Sequence, residues 1–222
     1  EADFQKDTKA ANLRAMVAEL KKARDIAADA DGKCQGLIGY NIMVATKDYA
    51  DYVKTAAHAG ADVIISGAGL PVDLPEYVTG TDTKIVPIVS SEKAARIILK
   101  MWDRRYKRTA DFVVIEGAHA GGHLGFSREE LAHLYEPDYE ANYDDEIRRI
   151  IACVHEYGEK YGVHIPVITA GGIMNARQVQ HAFALGAEGV QVATPFVTTE
   201  ECDAAPAYKL LYLFHTGGIE ET

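Results

Sequence analysis

The hydrophobic positions of this chain fall into short unbroken apolar runs, each followed by a glycine-rich or polar break and then by apolar residues at helical spacing. Leu13, Met16, Val17 and Leu20 mark the first helix, expected over residues 9–30, with Asp7 or Thr8 as its cap and Asp31-Gly32 as its stop. The apolar runs predict strands at 36–45, 62–66, 84–89, 112–115, 165–170 and 189–193. Helices are expected between and after them at 47–60, 73–78, from Ser90-Ser91 to Trp102, and at 144–161, 176–185 and 204–214.

Continuous rather than alternating apolar strands, each with its helix, indicate a parallel sheet covered on both faces. Such a sheet is doubly wound or closed into a (β/α)8 TIM barrel. Small glycine-rich loops follow nearly every strand, and the last two strands end in Gly171-Gly172-Ile173 and Ala193-Thr194-Pro195, where barrels bind phosphate. The barrel is therefore the expected α/β fold. Six strands are fewer than eight, so the first one or two βα units are expected to be absent from this chain. No Gly-x-Gly-x-x-Gly opens the first unit, which argues against a dinucleotide fold. Residues 1–222 are expected to form a single, partial barrel domain, with a tyrosine- and acid-rich segment at 127–143 inserted like a lid.

At 222 residues, 48% hydrophobic and 25% charged, the chain can bury a sizeable core. Its net charge of -10 opposes nucleic-acid binding. The one dense basic run, Arg104-Arg105-Tyr106-Lys107-Arg108, lies in a helical pattern and reads as a solvated helix end. Cys34, Cys153 and Cys202 are odd in number and lack metal-ligand spacing, which fits buried thiols in a reducing cytoplasm. No apolar run approaches ~18 residues and no signal peptide is visible, so the expected location is cytoplasmic, without a membrane partner. The chain begins at Glu1 rather than Met, which leaves a preceding segment open, and a homo-oligomer is equally open.

The candidate chemistry centres on Val113-Val114-Ile115, which breaks at Glu116 into Gly117-Ala118-His119-Ala120-Gly121-Gly122-His123-Leu124-Gly125-Phe126. This reads as a buried strand entering a loop whose backbone comes close to a ligand. A histidine among glycines at a strand's C-terminal end can give or take a proton beside a bound molecule, so His123 is the catalytic candidate. His119 either lines the substrate mouth or is merely exposed. Glu116 is either a second acid/base group or a strand-end carboxylate paired to Lys or Arg. Asn41 interrupts an apolar strand; a buried amide left unbonded costs about 1 to 3 kcal/mol, so it is expected to bond backbone or face a polar ligand. Glu136, Asp138, Glu140, Asp144 and Asp145 read as a solvated face rather than a metal site. Tyr135, Tyr139 and Tyr143 recur at i, i+4, i+8 and can share a helix face that closes as a lid or meets a partner.

Ala120-Gly121-Gly122-His123-Leu124-Gly125, Pro166-Val167-Ile168-Thr169-Ala170-Gly171-Gly172-Ile173, Leu185-Gly186-Ala187 and Gly189-Val190-Gln191-Val192-Ala193-Thr194 together resemble the nitronate monooxygenase (2-nitropropane dioxygenase) family. That family is related to the FMN-dependent enoyl-ACP reductases. Gly39-Tyr40-Asn41-Ile42 and Ser66-Gly67-Ala68-Gly69-Leu70-Pro71 resemble it as well. The resemblance spans nearly the whole chain and implies an FMN-containing TIM barrel. Family members begin with a strand and loop before the position of Glu1 and continue past that of Thr222, so it also implies a core piece of the barrel.

Carried over by residue, the resemblance implies His123 as the catalytic histidine and Asn41 as a hydrogen-bonding partner of the flavin ring or ribityl chain. Ala120, Gly121 and Gly122 would admit the cofactor, and Gly171, Gly172, Gln191, Ala193 and Thr194 would hold its phosphate end. Backbone N–H groups and a threonine hydroxyl suit a phosphate dianion. Ser66, Gly67, Ala68, Gly69 and His119 would wall the substrate pocket. The family pattern Gln-x-Gly-Thr reads Gln191-Val192-Ala193-Thr194 here. The alanine methyl either narrows the phosphate approach or stands where no positive φ is needed.

The implied reaction is oxidation of a small alkyl nitronate with O2 to a carbonyl compound and nitrite, His123 donating to the nitro or nitronate oxygens, or taking the α-proton of a neutral nitroalkane. The nearest alternative is an NAD(P)H-dependent FMN oxidoreductase acting on an enoyl thioester or quinone. A different class is a non-catalytic, ligand-binding barrel fragment.

Overall fold

The computed structural model of the protein describes residues 4–121, 125–133 and 136–216. Helix α1 (Thr8–Ala27) leads into β1 (Gly39–Asn41), α2 (Tyr49–His58), β2 (Val63–Ser66), α3 (Leu74–Tyr77) and β3 (Lys84–Val89). Then come α4 (Glu92–Tyr106), β4 (Val113–Glu116), α5 (Arg128–Ala132), α6 (Tyr139–Tyr161), β5 (Val167–Ala170), α7 (Ala176–Ala184), β6 (Gly189–Gln191), α8 (Thr194–Val197) and α9 (Pro206–Thr216).

The six strands form one sheet in the order β1-β2-β3-β4-β5-β6, every pairing parallel. Sequential order without reversal is a singly wound arrangement, the order of a TIM barrel rather than of a doubly wound sheet. Side-chain alternation sorts the strands into two faces. Ile64, Ile85, Val89, Val113, Ile115 and Val167 pack outward with the helices around Trp102, which is fully buried and donates its indole N–H to the carbonyl of Pro71 at 3.0 Å. Val63, Val86, Val114 and Ala170 form a smaller cluster on the opposite face with the half-buried Ile65, Ile88, Phe112 and Ile168. That second face is the inner one.

An acidic residue just before a strand reaches back to the preceding unit. Asp62 accepts the backbone N–H of Ile38 at 2.9 Å and the Arg24 guanidinium at 2.9 Å, tying α1 and the entry of β1 to β2. Asp111 does the same before β4, accepting the N–H of Ile85 at 2.8 Å and Arg108 at 3.0 Å. Partial burial works against the Asp62 charge, but the Ile38 N–H and Arg24 outweigh it and hold the carboxyl below its ordinary range. Asp62→Ala is expected to lower stability by about 1 to 3 kcal/mol in neutral-pH urea denaturation. Because the unfolded state binds the proton more readily, this contribution is full above the unfolded value of about 4 and is lost as pH falls through the lower folded value.

Several boundaries differ from expectation. Strand β1 covers only Gly39–Asn41 of the expected 36–45, because as an edge strand it has a single ladder partner, β2. Helix α6 starts at Tyr139 rather than Asp144, because Tyr139 and Tyr143 stack along it with ring centroids 6.1 Å apart and planes at 7°. Within the expected 127–143 excursion, α5 carries a complete capping box between Ser127 and Glu130. Tyr135, His123 and Gly122 lie outside the described residues.

Candidate active site

The C-terminal ends of the strands bring the site residues to one rim, and strand register decides which side each takes. Asn41 pairs with Ile65, placing it on the inner face. Glu116 pairs with Ala170, and Ala170 with Gln191, so these three form one row across β4, β5 and β6 on the same face. Asn41, Glu116 and Gln191 thus look toward the same side of the sheet although they come from three separate elements. Asn41 is exposed rather than buried, so the expected penalty of a buried amide does not arise.

Glu116 is half-buried, and among the described residues no Lys or Arg pairs with it. Burial alone pushes its carboxyl above the ordinary range. Its backbone carbonyl accepts the Tyr143 hydroxyl at 3.0 Å, which fixes the end of β4 against α6. Burial also raises the Tyr143 hydroxyl, and Phe126 tilts against its ring at 5.8 Å.

Gly171 and Gly172 have φ of 97° and 72°. A Cβ on Gly171 would stand 2.7 Å from the carbonyl oxygen of Gly117, and one on Gly172 would stand 2.6 Å from the Cβ of His119. Both glycines therefore seat the β5 loop against the β4 loop. Ala193 has φ -128°, on the negative side that L-residues adopt, so the position does not call for the positive φ of a glycine. Ala193 and Thr194 are exposed just beyond β6. In the loop after β2, Gly67 is buried against Ile88, Ala68 holds φ 53°, and Gly69 is exposed. Ser66 turns outward instead, fully buried, donating to the Ile42 carbonyl at 2.7 Å and bonded to the Tyr49 hydroxyl at 2.8 Å. Ala120 is half-buried, while His119 and Gly121 are exposed.

A cavity of about 550 Å³ opens at the same rim, between the first turns of α6 and α7. His119, Gly171, Gly172, Tyr143 and Arg177 line it, and His181 lies 2.9 Å from Asp144 across it. Thr169 and Tyr139, also in the lining, carry buried hydroxyls that find no hydrogen-bond partner among the described residues. Arg177, His181 and Thr169 were not singled out from the sequence, because nothing in their local pattern shows that α6, α7 and β5 converge. Among the described residues no group of His, Cys, Asp and Glu could hold a metal ion, and no helix is long and apolar enough to cross a membrane.

A sequential parallel sheet with a glycine-lined C-terminal rim defines an α/β enzyme-like barrel scaffold. The chain matches the nitronate monooxygenase family over residues 10–216 and belongs to it. It is 30% identical over 130 residues to a Staphylococcus saprophyticus protein named "Probable nitronate monooxygenase", covering 59% of this chain and 29% of that one. Among solved structures it is similar to FabK from Thermotoga maritima, with a TM-score of 0.59, 30% identity, and coverage of 81% of this chain and 48% of that chain. Nitroalkane oxidase from Streptomyces ansochromogenes shares the fold, with a TM-score of 0.55, 20% identity, and coverage of 89% and 50%. The chain therefore spans half or less of the length of these relatives.

Proposed function

We propose that the protein is an FMN-dependent oxidoreductase that oxidises alkyl nitronates with O2 to a carbonyl compound and nitrite. The six strands would be part of a (β/α)8 barrel whose remaining units lie outside residues 1–222, with 127–143 as its lid. The observation that carries the reading is the polar row Glu116-Ala170-Gln191 with Asn41 on the inner face, in a chain of this family.

The residues present fit a flavin mononucleotide. Ile65, Ile88, Phe112 and Ile168 offer a half-buried apolar face to a ring system, and Asn41 offers its amide to the ring or ribityl chain. Gly171, Gly172, Gln191, Ala193 and Thr194 would hold the phosphate end through backbone N–H groups, the Gln191 amide and the exposed Thr194 hydroxyl. Ala120, Gly121 and Gly122 would let the backbone approach the ring. A bound flavin would supply the electron transfer from substrate to O2. Gly67, Ala68, Gly69 and His119 would wall the substrate, while His123 would donate to its nitro or nitronate oxygens.

An absorption spectrum followed by anaerobic additions tests the reading. Flavin bands bleached by a nitronate alone are expected, and His123→Ala should slow that bleaching. Bleaching only by NADH or NADPH would replace the reading with the reductase alternative. Absence of flavin bands after incubation with excess FMN would overturn it for this chain.

A further inference from the structure

We propose that the cavity between α6 and α7 is a second binding site, apart from the inner face of the sheet, for an α-amino acid with an apolar side chain. Strand alternation separates the two sides. Val167 packs outward with the helices and Ile168 lies in the inner cluster, so Thr169 again faces the helices. The Thr169 side chain in the cavity lining therefore stands behind β5, on the side away from Ile65, Ile88 and Phe112. Gly171 and Gly172 border the cavity as well, which makes the loop after β5 a wall between the two sides.

At about 550 Å³ the space is large enough for a small metabolite. Thr169 is only 5% exposed, and neither its hydroxyl nor that of Tyr139 finds a partner among the described residues. A buried polar group left unbonded is costly, and a polar ligand atom would remove the cost. The charges on the two helix walls are unspent in the same way. Asp144 of α6 and His181 of α7 are joined at 2.9 Å. Glu140 of α6 and Arg177 of α7 also line the cavity, yet they form an ion pair neither with each other nor with any other described residue. Single exposed charges on helices are commonly just solvated. What distinguishes these two is the orphaned Thr169 hydroxyl in the same cavity.

Ile147, Ala182 and Leu185, all buried, supply the apolar part of the lining. One unpaired cation, one unpaired anion on the facing helix, unbonded hydroxyls and an apolar floor match a zwitterion that carries an apolar side chain. Its carboxylate would take the Arg177 guanidinium and the hydroxyls of Thr169 and Tyr139 as donors, and its ammonium would donate to Glu140. A plain anion would face Glu140 uncompensated, and a plain cation would face Arg177 in the same way.

The test is isothermal titration calorimetry of the whole chain with L-phenylalanine, for which saturable binding is expected. 3-Phenylpropionate, which lacks the ammonium, and phenethylamine, which lacks the carboxylate, should each bind at least about tenfold more weakly. L-Phenylalanine should lose a similar factor on Arg177→Gln and on Glu140→Gln. Thr169→Val, nearly isosteric, should weaken binding while the melting temperature of the free protein stays level or rises, because the hydroxyl has no bond to lose. Saturating FMN should leave the affinity unchanged. No saturable binding, equal binding of the three compounds, a lowered Thr169→Val melting temperature, or displacement of L-phenylalanine by FMN would overturn the assignment. The comparison of the three compounds uses the unaltered protein and so decides the matter if a variant does not fold. Failure of the oxidation reading shows separately, in the flavin spectrum, and leaves this site untouched.

Discussion

Replacing Trp102 by alanine is expected to destabilise the protein by about 3 to 5 kcal/mol, a large share of the roughly 5 to 15 kcal/mol by which domains are stable. Trp102 is fully buried at the centre of the helix-facing core, among Leu74, Val78, Ile85, Ile98 and Leu99. Truncation would open a cavity that α3, α4 and the sheet cannot all collapse into, because each is already held by its neighbours. It would also leave the Pro71 carbonyl without its indole donor. Trp102→Phe separates the two effects: most of the ring volume stays, the donor is lost, and the cost should fall to about 1 to 3 kcal/mol. Denaturant unfolding followed by circular dichroism measures both, since Trp102 is the only tryptophan and its fluorescence goes with it. A Trp102→Ala midpoint equal to wild type would contradict this packing.

Gly171→Ala should damage both stability and cofactor retention. Its φ of 97° is one that an alanine adopts only under strain, at about 1 to 3 kcal/mol. The new methyl would meet the Gly117 oxygen at 2.7 Å and the Gly117 nitrogen at 2.9 Å, and both are backbone atoms that no side-chain rotation can clear. The β4 and β5 loops must therefore separate. A lowered melting temperature together with weakened FMN binding is the expected result. Lost FMN binding with an unchanged melting temperature would mean instead that the glycine serves only the approach of a phosphate. An equivalent change at Gly121, where a Cβ meets nothing within 4 Å among the described residues, should be far milder for folding.

The repeating beat of apolar run, glycine break and helical spacing made all six strands legible, because a strand buried on both faces has to be apolar throughout. It could not give β1 its length, since an edge strand is limited by its partner rather than by its composition. Nor could it see α6 beginning at Tyr139: the acidic residues there read as a loop, whereas the stacked Tyr139 and Tyr143 rings and the Tyr143 bond to Glu116 carry the helix. At the site, the glycine pair 171–172 was plain, but its partners Gly117 and His119 lie far away in sequence. Ser66 was grouped with Gly67 to Gly69 as pocket wall, and the alternation of β2 turns it the other way. Asp62 and Asp111 drew no notice because each acts on a backbone N–H of the preceding unit, which carries no residue type to recognise.

The backward reach of those two aspartates sets an order on how the chain is made. As the polypeptide leaves the ribosome, Ile38 at the entry of β1 waits for Asp62, and Ile85 at the start of β3 waits for Asp111. At these two junctions the later segment fastens the one synthesised before it, so translation from the N-terminus and closure of those strand pairs advance in the same direction.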